Sequence, residues 1–195
     1  MNQMQLYYTL YQTIYEPLYI TIPESDDQNE HDVVTLYGNT VYRLAYARMQ
    51  NRQDTDDIFQ EVFLRYVRRA PQFTSLEHGK AWFLRTTINC CKNHWASAWQ
   101  RKTTGLSEVK EQSIVYESED AQMLADALAQ LSPKYRMVLH LYYYEGLHAE
   151  EIAKLQNIPA GTVRMQLSRG RTMLRELLLK EDSLFFAEGG SEDDK

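Results

Sequence analysis

Cysteine is nearly absent. The 195-residue chain has two, and they are neighbours, Cys90 and Cys91. Adjacent cysteines seldom bridge, and without a surrounding His/Cys cluster they make no zinc site. A reducing, cytoplasmic setting is therefore expected. No apolar run approaches the roughly 18 residues of a membrane span, so the chain is not expected to cross one. No basic segment precedes an apolar one at the N-terminus, so a secretory signal is not expected either. Chemistry is missing as well. There is no Ser/His/Asp pattern, phosphate-binding glycine loop or metal-ligand spacing, and His31, His78, His94, His140 and His148 are scattered. Neither an enzyme, a cofactor nor a bound metal is expected.

Basic residues are missing from the first 42 positions, which hold Glu16, Glu24, Asp26, Asp27, Glu30 and Asp32 but no Lys or Arg. Residues 181–195 carry six acids and one base, Lys195. The overall charge of −6 hides a different interior. Residues 43–102 are net +6, 103–131 net −5 and 132–180 net +4. Two basic modules joined by an acidic strap fit a protein that touches DNA at two places. Hydrophobic content of 44% allows each module a modest core.

Residues 146–171, GLHAEEIAKLQNIPAGTVRMQLSRGR, carry the clearest pattern. Ile152 and Leu155 share one helical face, and Val163 and Leu167 another. Between them stand Asn157, which tolerates the left-handed conformation, and Pro159, suited to a helix start. Arg164, Arg169 and Arg171 flank the second apolar seam. This is the layout of a helix-turn-helix whose second helix enters the major groove.

Upstream, Val34, Tyr37, Val41, Leu44 and Ala45 recur at helical spacing over residues 33–50. The next stretch reads as a capped amphipathic helix, with Asp54 as cap, Asp56 and Asp57 in the first turn, Arg65, Arg68 and Arg69 at the end, and Pro71 beyond. Its outer face of Asp57, Gln60, Glu61 and Leu64 suits a protein partner. Residues 76–102 hold Trp82, Trp95 and Trp99, interleaved with Lys80, Arg85, Lys92, His94, Arg101 and Lys102. Such interleaving suits single-stranded DNA, with rings for bases and cations for phosphates. Asn89 and Asn93 add amides that can bond base edges, while Trp82, Phe83 and Leu84 are expected in the core. Residues 103–118 read as linker, 119–131 as an amphipathic helix, and Ser132-Pro133 as the start of another that ends at Gly146. Residues 1–32 form an extension, tyrosine-rich and then acidic.

Two blocks together resemble the extracytoplasmic-function (ECF) type of bacterial sigma factor. VYRLAYARMQNRQDTDDIFQEVFLRYVRR followed by AWFLRTTINCCKNHW resembles the sigma-two domain, with Asp54, Asp57, Gln60, Glu61 and Phe63 matching a D-x-x-D-x-x-Q-E-x-F pattern. LAQLSPKYRMVLHLYYYEGLHAEEIAKLQNIPAGTVRMQLSRGRTMLREL resembles the sigma-four domain. The resemblance implies an all-α fold. A sigma-two-like bundle (33–102) and a sigma-four-like helix-turn-helix domain (119–180) would be joined by an acidic flexible linker (103–118), with an extension (1–32) and a tail (181–195).

It also implies partners: the RNA polymerase core, through the largest-subunit clamp helices and the flap, promoter DNA, and an anti-sigma factor. Asp54, Asp57, Gln60, Glu61, Phe63 and Arg65 would bind the core. Residues near Asn89 to Asn93 would form a loop that captures a flipped base of the −10 element. Arg85, Lys92, Trp95, Trp99, Arg101 and Lys102 would serve the same strand. Thr162, Arg164, Met165, Ser168, Arg169 and Arg171 would meet the −35 duplex. Gln166 stands where Arg is common, and His148 replaces a usual Ser cap. A stand-alone helix-turn-helix regulator is the alternative.

Overall fold

The computed structural model describes residues 28–102 and 119–188. The tyrosine-rich stretch, the 103–118 linker and the last seven residues lie outside the described residues. Every element described is a helix: α1 (Gln28–Met49), α2 (Arg52–Arg69), α3 (Leu76–Lys102), α4 (Glu119–Gln130), α5 (Pro133–Tyr143), α6 (Ala149–Gln156) and α7 (Ala160–Glu188). The all-α expectation holds, with two boundaries moved. α1 begins at Gln28, inside the stretch read as extension, and α7 runs to Glu188, inside the stretch read as tail.

Local signals explain the element ends. Asn51, not Asp54, caps α2: its Oδ1 accepts from the Asp54 backbone N–H at 2.8 Å. An Asn at the cap satisfies one of the free N–H groups of the first turn, which leaves Asp54 in that turn, where its charge suits the helix dipole. Ala70 ends α2 in the left-handed conformation (φ 40°), its N–H bonded to the Tyr66 carbonyl. Pro133 opens α5 as expected, although the Ser132 hydroxyl makes no capping bond.

α1 is the spine, packing against α2, α3 and α5. It buries residues on two sides. Tyr37, Val41 and Ala45 join Ile58, Val62, Phe83, Cys90 and Cys91 in a first core. Leu44 and Ala47 join Leu84 and Ile88 in a second core that continues through Leu124, Leu128, Met137, Leu141, Ile152, Val163 and Leu167. The two basic modules thus share one apolar core across their boundary, rather than each closing a separate one. Burial also raises the thiols, Cys91 to about 12 and Cys90 in the same direction, so neither ionises readily.

Arg136 fastens this boundary. It is buried, and its guanidinium donates to five carbonyls: Ala47 and Arg48 at the end of α1, and Leu128, Ala129 and Leu131 at the end of α4. The last carbonyls of a helix have no partner within it, and the planar five-donor fork of arginine is suited to serving two such ends at once.

Candidate nucleic-acid interface

The helix-turn-helix is built as its spacing predicts. Asn157 takes the left-handed conformation (φ 55°), and both its N–H and that of Ile158 return to the Ala153 carbonyl. Glu151 closes the first turn of α6: its carboxylate accepts from the His148 backbone N–H at 2.8 Å. On α7, Val163, Leu167, Gly170 and Leu174 face inward. A Cβ at Gly170 would come within 3.3 Å of Leu139, so the glycine lets α7 lie close on α5. Opposite them, Arg164, Met165, Ser168 and Arg169 form one exposed stripe with Gly161, and Thr162 sits half-buried at its edge. Met165 exposes 44% of its surface.

Two neighbouring side chains lie off that stripe. Arg171 donates to the Tyr143 hydroxyl at 2.9 Å and lies over the rings of Tyr142 and Tyr143, so it is held by its own domain. Gln166 is half-buried, unlike the exposed Met165 beside it. Arg164 reaches Glu150 on α6 at 2.7 Å; both side chains are more than half exposed, so this pair is weak and exchangeable.

The second candidate surface lies on α3. Arg85, Asn89, Lys92 and Asn93 are exposed along one stripe. The loop expected at Asn89 to Asn93 is instead part of an unbroken helix from Leu76 to Lys102. Alternation of exposed amides with the buried Cys90 and Cys91 is what helical spacing demands here, and no Gly or Pro interrupts residues 80–102. Lys92 donates to the Gln156 carbonyl at 3.1 Å, at the C-terminal end of α6, where a cation is favoured. The side chains of Trp95, Trp99, Arg101 and Lys102 lie outside the described residues.

On α2, Asp57 and Gln60 are exposed. Glu61 pairs with Arg65 one turn on at 2.7 Å. Asp54 receives His94 of α3 at 2.9 Å, linking the α2 face to the α3 stripe. Phe63 turns toward Phe59 and Phe83, with ring centroids 4.7 and 5.3 Å away, so much of it serves packing. Its remaining surface joins Val34, Phe59, Gln60, Leu64, Tyr66 and Val67 around a cleft of about 380 Å³. Leu64 and Val67 are about half exposed there. Spacing places Leu64 on the polar outer face of α2 and does not show that it and Val67 stay exposed.

Polar residues at the module boundary were also unexpected. Lys80 contacts Glu145 at 2.7 Å, and the Glu145 side chain is only 3% exposed, its other oxygen 3.8 Å from His140. Arg43 donates to the Tyr144 hydroxyl and lies over its ring, which stacks on His140. Burial first, then Arg43 and Lys80, push His140 down to about 3, so it is neutral in the fold.

Residues 33–101 match the model of sigma-70 region 2, and residues 121–174 that of sigma-70 region 4. The ECF sigma factor SigW of Bacillus subtilis is 27% identical over 173 residues, covering 80% of this chain and 92% of that protein. The chain belongs to the ECF sigma factors. Another relative, the ECF sigma factor SigE of Mycolicibacterium smegmatis, is 30% identical over 161 residues, 78% of this chain and 62% of that protein. Among solved structures, the sigma factor RpoE of Bartonella quintana, in complex with the anti-sigma factor NepR, has the same fold, with a TM-score of 0.63 at 20% identity over 76% of this chain and 95% of that one. As a sigma factor, the chain directs promoter-specific initiation of transcription. None of the described helices is long and apolar enough to cross a membrane.

Proposed function

We propose that this sigma factor grips its promoter at two places and the polymerase core at a third, each served by a separate face. The observation that carries the reading is the α7 stripe. Val163, Leu167 and Leu174 fix the helix from behind, and Arg164, Met165, Ser168 and Arg169 project from its exposed side, with Thr162 at the edge. An arginine bidentate to guanine in the −35 duplex is worth about 1–3 kcal/mol of discrimination. Arg171 serves the stripe indirectly, by holding α7 on Tyr143.

Arg85, Asn89, Lys92 and Asn93 on α3 would meet the melted −10 strand, continuing toward Trp95, Trp99, Arg101 and Lys102. A helical stripe of amides and cations suits a strand laid along it, with phosphates tracked by charge and an extruded base bonded by an amide. Asp57 and Gln60, with Asp54, Glu61 and Arg65 around them and Phe63 beneath, would dock on the clamp helices of the core. Polymerase supplies the catalysis; this chain supplies position and sequence choice, acts in the cytoplasm, and is held in check by an anti-sigma factor.

Run-off transcription with purified core polymerase on a genomic fragment library tests the reading. Initiation at a discrete set of start sites is expected. If no promoter is initiated while the pure protein binds duplex DNA tightly by itself, the chain works as a stand-alone regulator and the reading fails.

A further inference from the structure

The cleft between α1 and α2 is apolar, open and bordered by the face proposed to dock on the polymerase core. Leu64 and Val67 expose 48% and 54% of their surface beside it, and Val34, Phe59, Phe63 and Tyr66 complete its wall. Only two residues, Gln50 and Asn51, separate α1 from α2, so the two helices run antiparallel. Val34 of α1 accordingly lies beside Tyr66 and Val67 near the end of α2. The chain therefore enters α1 at this end of the cleft, about 9 Å of helix before Val34.

The 27 residues preceding α1 carry a tandem tetrad. Leu6-Tyr7-Tyr8-Thr9, Leu10-Tyr11-Gln12-Thr13, Ile14-Tyr15-Glu16-Pro17 and Leu18-Tyr19-Ile20-Thr21 repeat the order aliphatic, Tyr, variable, Thr or Pro. A period of four keeps Leu6, Leu10, Ile14 and Leu18 on one ridge of a helix and on one face of a strand alike. Such a segment presents a continuous apolar edge that water alone does not satisfy. The residues next to α1 are acidic, Glu24, Asp26 and Asp27, and α2 ends beside the cleft with exposed Arg68 and Arg69. Reach is ample, since an extended chain spans roughly 3.3 Å per residue.

We infer that the tyrosine tetrads of residues 6–21 dock in the α1–α2 cleft of the same chain and mask the face that binds the polymerase core. The masking half of this inference rests on the core-docking reading above; the docking half does not. Length, point of entry and charge all favour this occupant over a second copy. A tethered segment acts at on the order of millimolar effective concentration, so even weak docking competes with a partner in solution.

The test uses the full chain carrying a photo-cross-linking phenylalanine analogue in place of Val67. Irradiation is expected to join position 67 to residues 6–21 of the same molecule, mapped by mass spectrometry, and the L10D/I14D double substitution should abolish the link. No link, or a link between two chains, overturns the docking. The double substitution should also tighten binding to purified core polymerase by about tenfold, the factor by which a nine-tenths masked site understates its affinity. An intramolecular link with unchanged core affinity overturns the masking. If no form of the chain binds core at all while the link persists, the core-docking reading fails and the masking with it, but the docking stands.

Discussion

Lys80 Nζ lies 2.7 Å from Glu145 Oε2, and this contact joins the two halves of the protein. Lys80 is on α3, in the module matching sigma-70 region 2; Glu145 follows α5, in the module matching region 4. Glu145 is buried and Lys80 is not, so the carboxylate depends on the ammonium more than the reverse. Removing the lysine leaves a carboxylate facing the neutral imidazole of His140. Lys80→Met should therefore lower stability by about 1–3 kcal/mol in urea titration. The double variant Lys80→Met/Glu145→Gln should recover part of that loss, because a neutral amide is cheaper to bury than an unpaired charge.

Arg136 is the stronger fastening. Its five carbonyl partners sit at the ends of α1 and α4, on opposite sides of the module boundary. Arg136→Lys preserves charge but offers three donors on a point ammonium, not a planar fork. It is expected to cost about 2–4 kcal/mol in chemical denaturation, which is large against the 5–15 kcal/mol total of a typical domain. A loss below half a kcal/mol would mean that water replaces the fork at little cost.

Arg136 also shows where the sequence stopped being legible. The helices could be read because Val34, Val41, Leu44 and Ala45 repeat at helical spacing, and the turn could be read because Asn157 and Pro159 have narrow backbone preferences. The α7 stripe followed from Val163 and Leu167, whose burial fixes what lies opposite. Which helices share a core did not follow. Leu44 and Val41 differ by three positions on α1 yet serve different clusters, and spacing gives a face but not its partner. Nor did it follow that Arg136 and the Glu145 carboxylate are buried, since their types belong by default to the surface, or that His140 is fully enclosed. The amides of Asn89 and Asn93 lie on a helix, not in a loop, because the buried Cys90 and Cys91 between them, with Ile88 just before, fit a packed helix equally well.

His140 makes stability sensitive to mild acid. In the unfolded chain its imidazole takes up a proton near pH 6.5; in the fold, burial with Arg43 and Lys80 nearby holds it neutral down to about 3. The unfolded state therefore binds more protons below pH 6.5, and stability falls as pH drops, by about 1.4 kcal/mol per unit from this group alone. Above pH 6.5 the group contributes no pH dependence. Between pH 7 and pH 5, wild type should lose about 2 kcal/mol more than His140→Phe, as read from denaturant midpoints at each pH. Parallel curves for the two proteins would show that His140 is not held neutral.

Gly79 is required by its neighbour. A Cβ there would stand 2.7 Å from Tyr37 Cζ and closer still to the hydroxyl, which donates to the Leu76 carbonyl. Tyr37 also stacks on Phe83 at 4.7 Å in the region 2 core, so it has little room to withdraw. Gly79→Ala should be destabilising by about 1–3 kcal/mol, although alanine favours helix more than glycine does. Thermal unfolding would show the loss, and Gly79→Ala with Tyr37→Leu should restore part of it.

Arg169 and Arg171 lie two positions apart on α7 and separate recognition from support. Arg169 is exposed on the stripe with Arg164, Met165 and Ser168. Arg171 turns back, bonded to the Tyr143 hydroxyl and lying 4.9 and 5.5 Å from the Tyr142 and Tyr143 ring centroids. Arg169→Ala should leave the melting curve unchanged, because nothing in the fold leans on an exposed guanidinium. It should weaken transcription from a promoter read through the −35 duplex by about 5- to 150-fold, the equivalent of 1–3 kcal/mol. Arg171→Ala should do the opposite in kind, lowering stability by about 1–2 kcal/mol through the lost hydrogen bond and ring contacts. Its effect on transcription should shrink when the assay is cooled, since a destabilised fold then repopulates. If instead Arg171→Ala abolishes promoter activity at full stability, the residue reaches DNA by leaving Tyr143, and support and recognition are exchanged within one side chain.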